Sequence, residues 1–205
     1  MLPQVDADST YHLKILDRDH PQRRALEEAV SGRYREAFGA VIPHFMDHLI
    51  GFYGTGGELL AACGYQSLAT QPAYLEQYLE ESADKVMSRK SGCQIQRTQI
   101  VEIGHLASFS RSVARVFFAA LAKYLTEQGF HWCVSTVTGP LYALFKRQGI
   151  DPLVLCDARA EAVGQDRRLW GQYYQHRPQV CGGSLRLGAR RLVSVLNSIK
   201  LEVTE

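Results

Sequence analysis

Residues 99–137, QIVEIGHLASFSRSVARVFFAALAKYLTEQGFHWCVSTV, decide the fold. Gln99 to Leu106 reads as a strand, dominated by β-branched and apolar side chains. Ser110 is a candidate N-cap. After it Val113, Ala114, Val116, Phe117, Ala120, Leu121, Tyr124 and Leu125 recur at helical spacing to about Gln128, and Gly129 stops the run. Phe130 to Val137 is β-like again. A strand, a long helix and a second strand in so short a span form a crossover unit whose two strands must run parallel.

Further along, Leu141 to Gln148 reads as a short helix closed by Gly149, and Leu153 to Ala158 as another strand. Upstream, Tyr11 to Ile15 alternates apolar and polar residues. A helix follows it, with Asp19 and Gln22 spaced as a capping box, Pro21 in its first turn, and Leu26, Val30, Tyr34 and Phe38 on one face. Leu49–Tyr53 and Leu59–Tyr65 flank the turn sequence GTGGE and are expected to pair as a hairpin. After Pro72, AYLEQYLEESADKVM places Tyr74, Leu75, Tyr78, Leu79 and Val86 at helical spacing and predicts one amphipathic helix. SRKSGCQ then reads as an exposed loop. A hairpin region followed by βαβαβ is an α/β fold with a mixed sheet. Such sheets take ligands where strands end, here near Leu106 to Ser112 and around Thr138 between Thr136 and Pro140.

The 205 residues carry 23 basic against 21 acidic side chains and 46% hydrophobic residues, an ordinary folded composition. A net charge of +2 excludes a strongly cationic nucleic-acid binder, so any anion site must be local. No basic-then-apolar leader opens the sequence, and no window reaches the roughly 18 apolar residues of a spanning helix. Five cysteines without a C-x-x-C pair suit reduced thiols in a cytoplasm. Cys63 and Cys133, inside apolar strands, read as buried hydrophobes.

Glu102 is the most informative residue. Inside a strand, desolvation raises a carboxylate's pKa and makes it a usable base, unless Arg35, Arg97 or Arg111 pairs with it. The turn Ser108–Ser112 offers free N–H groups, hydroxyls and Arg111 to a phosphate, or is simply a capped helix start. His44, Asp47 and His48 have the i, i+3, i+4 spacing of metal ligands on a helix, without the remaining ligand; His48 as an acceptor contact and a plain structural pair are the other readings. No G-x-S-x-G elbow is present, and nothing calls for a resident metal or cofactor. The basic segment from Arg186 to Lys200, with Leu192, Leu196 and Ile199 at helical spacing, either touches a partner or closes the core as a last helix.

The strings AFGAVIPHFMDHL, YLEQYLEE, QIVEIGHLASFSRSVARVFFAAL and WGQYYQHRPQV, in that order, resemble the bacterial thermostable hemolysin family over roughly Tyr11 to Leu185. That family is similar to GNAT acyltransferases, and the E-I-G-H-L strand is similar to one in acyl-homoserine lactone synthases that bears a functional glutamate. The resemblance implies one GNAT-like domain over residues 1–205, with a mixed, mostly antiparallel central sheet flanked by helices, a core at about 11–185 and a basic amphipathic tail at 186–205. It implies a cytoplasmic acyltransferase moving a fatty acyl group from an acyl-CoA or acyl-carrier-protein thioester to a small amine-bearing acceptor by direct attack.

In that reading Glu102 is the base. Leu106, Ala107, Ser108, Ser110, Arg111 and Ser112 hold the donor, in a turn that lacks the glycines of ordinary GNAT enzymes. Phe145 stands where a tyrosine acid is usual, so Tyr142, or Tyr173 and Tyr174, take that role. His48, His105 and Thr138 join Tyr74 and Tyr78 in contacting substrate, and Tyr74, Leu75, Tyr78, Leu79 and Phe45 line an acyl tunnel. No nucleic acid is implied, and a homodimer is left open. The other classes are a directly membrane-lytic protein, which the family name suggests, and a catalytically inactive acyl-binding module.

Overall fold

The computed structural model describes residues 9–110 and 112–204. The alternating stretch forms β1 (Thr10–Leu16), followed by α1 (Arg23–Phe38). The hairpin forms as β2 (His48–Tyr53) and β3 (Leu59–Ser67), antiparallel in the register His48↔Tyr65 to Tyr53↔Leu59. Then come α2 (Ala83–Ser91), β4 (Ile100–Ser108), α3 (Ala114–Glu127), β5 (Trp132–Val137), α4 (Gly139–Arg147) and β6 (Leu153–Asp157). The last elements are β7 (Gln179–Ser184), α5 (Leu185–Arg191), α6 (Val193–Leu196) and β8 (Lys200–Thr204). All eight strands join one sheet in the order β6-β7-β5-β4-β3-β2-β1-β8, antiparallel except where β4 meets β5 and β1 meets β8.

The crossover through α3 thus joins parallel neighbours, as its sequence requires. The one through α4 does not, because β7 inserts between β5 and β6 and runs antiparallel to both. The sequence conceals β7, whose Gly182 and Gly183 lower its β propensity. Gly182 packs closely: a Cβ there would stand 3.0 Å from Cε of Met87, which would have to shift by a few tenths of an ångström.

Each face of the sheet buries its own helices. On one face Leu13, Ile15, Ile50, Phe52, Val101 and Ile103 pack against Val116, Phe117, Ala120 and Leu121 of α3, with Leu185, Leu192 and Val195 from the C-terminal elements. On the opposite face Leu26, Val30 and Tyr34 of α1 cover Leu16, Leu49, Ala62 and Ala107. Beside them Leu75, Val86 and Met87 cover Ile100, Val134 and Val180. The tail is therefore more than a final helix: it adds two short helices and then strand β8 alongside β1.

Several local expectations yield to tertiary hydrogen bonds. The Asp19–Gln22 capping box does not form; α1 starts at Arg23, and the Gln22 N–H donates instead to Nδ1 of His20 at 3.1 Å. Ser110 does not cap α3, which begins four residues later with no side-chain cap. SRKSGCQ is no loop over most of its length, since α2 runs to Ser91 and ends at Gly92 with φ of 73°. The single amphipathic helix after Pro72 breaks into a 3₁₀ turn, Tyr74–Tyr78, and α2. Glu76 explains the break. Its carboxylate accepts N–H bonds from Ala73 (3.0 Å) and Ala83 (2.8 Å), capping both pieces at once, and pairs with Nη2 of Arg97 at 2.8 Å.

Burial pushes the Glu76 carboxyl up, yet Arg97 and the two backbone donors outweigh it and leave the pKa below the ordinary 4.5. A depressed carboxyl contributes stability that is present above the unfolded value and lost as pH falls through the folded one. Glu76→Ala should therefore cost about 2–4 kcal/mol at pH 7, with the gap to the native chain closing as pH drops below 4.5. Urea unfolding at the two pH values measures both; an equal gap at each would refute the capping role.

Candidate functional site

β4 and β5 form a ladder only from Ile100↔Trp132 to Glu102↔Val134. Beyond Glu102 the two strands separate. On the other side of β4, Ala62 pairs with Ala107 and Gly64 with Gly104, so Cys63 alone faces both His105 and Leu106. This is a β-bulge, with His105 at φ of 53° in the left-handed region. The extra residue shifts the alternation, so Gly104 and His105 border the α1 face while Leu106 borders the α3 face.

Two cavities flank the split. On the α1 face lies a cleft of about 360 Å³ lined by Glu102, His105, Tyr74, Thr136, Trp170 and Tyr173. On the α3 face lies an apolar chamber of about 130 Å³ lined by Leu106, Phe118, Leu121, Cys133, Phe145 and Leu185. Ile103 borders both. The apolar chamber is thus on the far side of the sheet from Tyr74, Leu75, Tyr78 and Leu79, the tunnel expected from sequence. Leu75 is fully buried core.

Glu102 is 3% exposed and, among the described residues, has no arginine partner. Arg97 is committed to Glu76 and Asp84. The carboxylate is held by neutral donors instead. Nε2 of Gln66 and the Tyr74 N–H reach Oε2 at 2.8 and 2.9 Å, and the Leu75 N–H reaches Oε1 at 3.0 Å. The first N–H groups of a helical turn have no partner within it, which suits them to a buried anion. Burial raises the Glu102 pKa, and the three hydrogen bonds oppose but do not cancel the rise. Gln66, which sequence reading passed over, was signalled only by its register opposite Glu102.

The tyrosines of WGQYY diverge. Tyr173 enters the cleft wall, edge-on to Phe38 at 5.2 Å, with its hydroxyl 3.5 Å from the Thr136 carbonyl. Burial keeps that hydroxyl protonated well beyond the usual tyrosine range. Tyr174 lines a neighbouring surface hollow; its hydroxyl lies 2.7 Å from that of Tyr78, and burial pushes its pKa to about 12. Tyr78 also reaches the cleft, whereas Phe145 packs edge-on against Phe118 in the apolar chamber.

His105 sits against Phe45 with ring centroids 4.9 Å apart. The paired glycines Gly64 and Gly104 make room here: a Cβ on Gly64 would come within 2.8 Å of His105 Nδ1, and one on Gly104 within 2.6 Å of Met46 Cε. Burial lowers the His105 pKa to about 4, against a backbone hydrogen bond to His44 and with added repulsion from Arg23.

Other expected residues lie elsewhere. His48 begins β2 and stacks on Tyr65 at 4.8 Å, on the face opposite Glu102, because strand side chains alternate. The segment from His44 to Asp47 is not helical, so the metal-ligand spacing is never realised; Asp47 binds Arg18 and Gln71. Thr138 flanks α4, and Thr136, two residues earlier, reaches the cleft in its place. Ala107 is core. Ser108, Ser110 and Ser112 hydrogen-bond locally in an exposed turn apart from both cavities, and Arg111 lies outside the described residues.

A mixed sheet split at its centre is the GNAT-like fold, and solved structures agree. TofI, in a ternary complex with an inhibitor and MTA, is 15% identical with a TM-score of 0.58, over 89% of this chain and 96% of that one. BjaI, a CoA-dependent acyl-homoserine lactone synthase solved with SAM and isopentyl-CoA, is 12% identical with a TM-score of 0.58, over 95% of each chain. FeeM, an N-acyl amino acid synthase from uncultured soil microbes, is 11% identical with a TM-score of 0.60, over 92% and 97%. At such identities the likeness is one of fold. The profile of the thermostable hemolysin family matches residues 16–189, and the chain belongs to that family. No curated protein matches the sequence.

The His105 environment is directly measurable. Its imidazole should titrate with a midpoint near 4 in the folded chain, followed by nitrogen-detected NMR. Because the unfolded ring takes its proton near 6.5, acidification from that value toward 4 favours unfolding. A midpoint near 6.5 would show the ring solvated and the bulge geometry wrong.

Proposed function

We propose that the chain is a cytoplasmic acyltransferase that moves a fatty acyl group from a thioester of coenzyme A or acyl carrier protein to a small amine-bearing acceptor. The observation that carries this reading is the split between β4 and β5, which sets an acid-bearing cleft and an apolar chamber on opposite sides of one gap. The donor's hydrocarbon end takes the chamber, where burial is favourable by roughly 25 cal/mol per Å². Its carbonyl lies in the gap, beside the bulged backbone of β4. The amine approaches from the cleft, so the reacting partners meet in fixed orientation.

Glu102 removes the ammonium proton at Oε1, which among the described residues accepts one hydrogen bond, from the Leu75 N–H, and keeps lone-pair capacity. Its raised pKa makes it a stronger base than a solvated glutamate. The neutral nitrogen attacks the thioester carbon, and the tetrahedral intermediate expels the thiolate and sheds the second nitrogen proton to leave an amide. Tyr173, protonated throughout, offers its hydroxyl to the developing negative charge. Being so weak an acid, it acts by hydrogen bonding, and the departing thiolate takes the second nitrogen proton. The named activities of BjaI and FeeM, on the same fold, support this assignment.

The product, an amphiphilic amide, is a surfactant. Lysis then needs no pore, and among the described residues no helix is long and apolar enough to cross a membrane. Purified protein alone should leave dye-loaded liposomes intact, with leakage appearing only when thioester and amine are supplied. Leakage from the protein alone would favour direct lysis.

Glu102→Gln should lower the acyl-transfer rate roughly 10²- to 10⁴-fold, the loss shrinking as pH approaches the amine's own pKa. The amide cannot accept at both ends, so a stability cost of about 1–3 kcal/mol is expected as well. Rates are therefore compared where both proteins are fully folded by circular dichroism. Normal turnover there, with only reduced stability, would make Glu102 a structural anchor and not the base.

A further inference from the structure

The cleft has an aromatic wall that acyl transfer itself does not require. Tyr74 and Trp170 meet at 6.1 Å between ring centroids and 49° between planes, with the indole N–H donating to the Tyr74 hydroxyl at 3.2 Å. Trp170 in turn meets Tyr173 at 5.3 Å and 44°. Ring faces of this kind attract cations through their quadrupoles. Two carboxylates border the same cleft, Glu102 at its base and the exposed Asp166 at its mouth. Burial raises the Tyr74 pKa, and Asp166 and Glu102 add to the rise, so both charges act on the aromatic wall.

The arginines that border the cleft or lie buried beside it are engaged, while Arg167 and Arg168, which follow Asp166, line the neighbouring hollow. Arg18 borders the cleft, but its Nη2 lies 2.6 Å from Oδ1 of Asp47. Arg23, buried close by, is bound by Glu27 and by the carbonyls of Leu16, Met46 and Asp47. Among the described residues no lysine borders the cleft. An acceptor carrying a carboxylate would need a free, geometrically matched cation to receive it. It would also meet Glu102 and Asp166 as like charges. A cationic acceptor meets complementary groups at Tyr74, Trp170, Glu102 and Asp166.

Attack on the thioester requires a neutral nitrogen, so the nucleophile surrenders its own charge before it reacts. Rings and carboxylates that hold the acceptor through the reaction must therefore grip a second positive centre.

We infer that the cleft binds an organic cation lacking a carboxylate, with a second positive group held by Tyr74, Trp170 and Asp166 while the first nitrogen faces Glu102. A diamine or an aminoalkyl quaternary ammonium compound has this chemistry. The word acceptor rests on the acyl-transfer reading; the binding preference does not, and it is tested without any thioester.

The protein has two tryptophans, so Trp132→Phe leaves Trp170 as sole fluorescence reporter. Its emission is titrated with tetramethylammonium, with neopentyl alcohol as the neutral isostere and with pivalate as the anionic one, at constant ionic strength. Tetramethylammonium should give a saturable change that neither isostere matches. Asp166→Asn, at an exposed position, and Tyr74→Leu should each weaken it by about 3- to 30-fold. Pivalate or neopentyl alcohol binding as tightly, no saturable change with any probe, or a tetramethylammonium affinity indifferent to both substitutions would overturn the inference. Acyl transfer, assayed separately, would stand or fall on its own.

Discussion

A buried carboxylate without a counter-ion holds this architecture together. Glu102 receives two backbone N–H groups from the turn at Tyr74 and an amide from Gln66 of β3, so one side chain joins β4, β3 and the segment above them. Removing a charge from water costs several kcal/mol unless its lone pairs find donors, and here the donors are neutral dipoles fixed by the backbone. A buried arginine would have supplied the compensation more directly and silenced the group. Neutral donors offset the burial only in part, leaving the carboxyl above its ordinary pKa.

The same bonds fix where the chain that Glu76 breaks lies above the sheet. The N–H groups of Tyr74 and Leu75 are committed to Glu102, and Glu76 caps both the turn and α2. The turn therefore stays short and close to the sheet, which places Tyr74 and Tyr78 at the cleft. Stability and site geometry share these bonds.

The bulge at His105 does comparable work within the sheet. One extra residue in β4 ends strict alternation and lets adjacent residues border opposite cavities. Its left-handed conformation costs of order 1 kcal/mol, sustained by the packing of Phe45, Met46 and the paired glycines around it. Separation of β4 from β5 then leaves a polar cleft on one face and an apolar chamber on the other, with Ile103 bordering both.

From sequence alone, hydrophobic period and turn residues determined most strands, helices α1, α3 and α4 in outline, the hairpin and the parallel pairing of β4 with β5. They also singled out Glu102, because a carboxyl inside an apolar strand is anomalous wherever the strand lies. Periodicity acts along the chain, however, and is silent about neighbours across a sheet. Only the tertiary structure decided that β7 inserts between β5 and β6, and that Gln66, not an arginine, faces Glu102. It also decided that His48 lies on the far face, one step out of phase with the site. The split of the helix after Pro72 and the place of the apolar chamber depend on groups far apart in sequence: Glu76 with Arg97, and Leu106 with Phe145 and Leu185. Local preferences of a fraction of a kcal/mol per residue give way to such buried hydrogen bonds and packing, which exist only once the chain has closed.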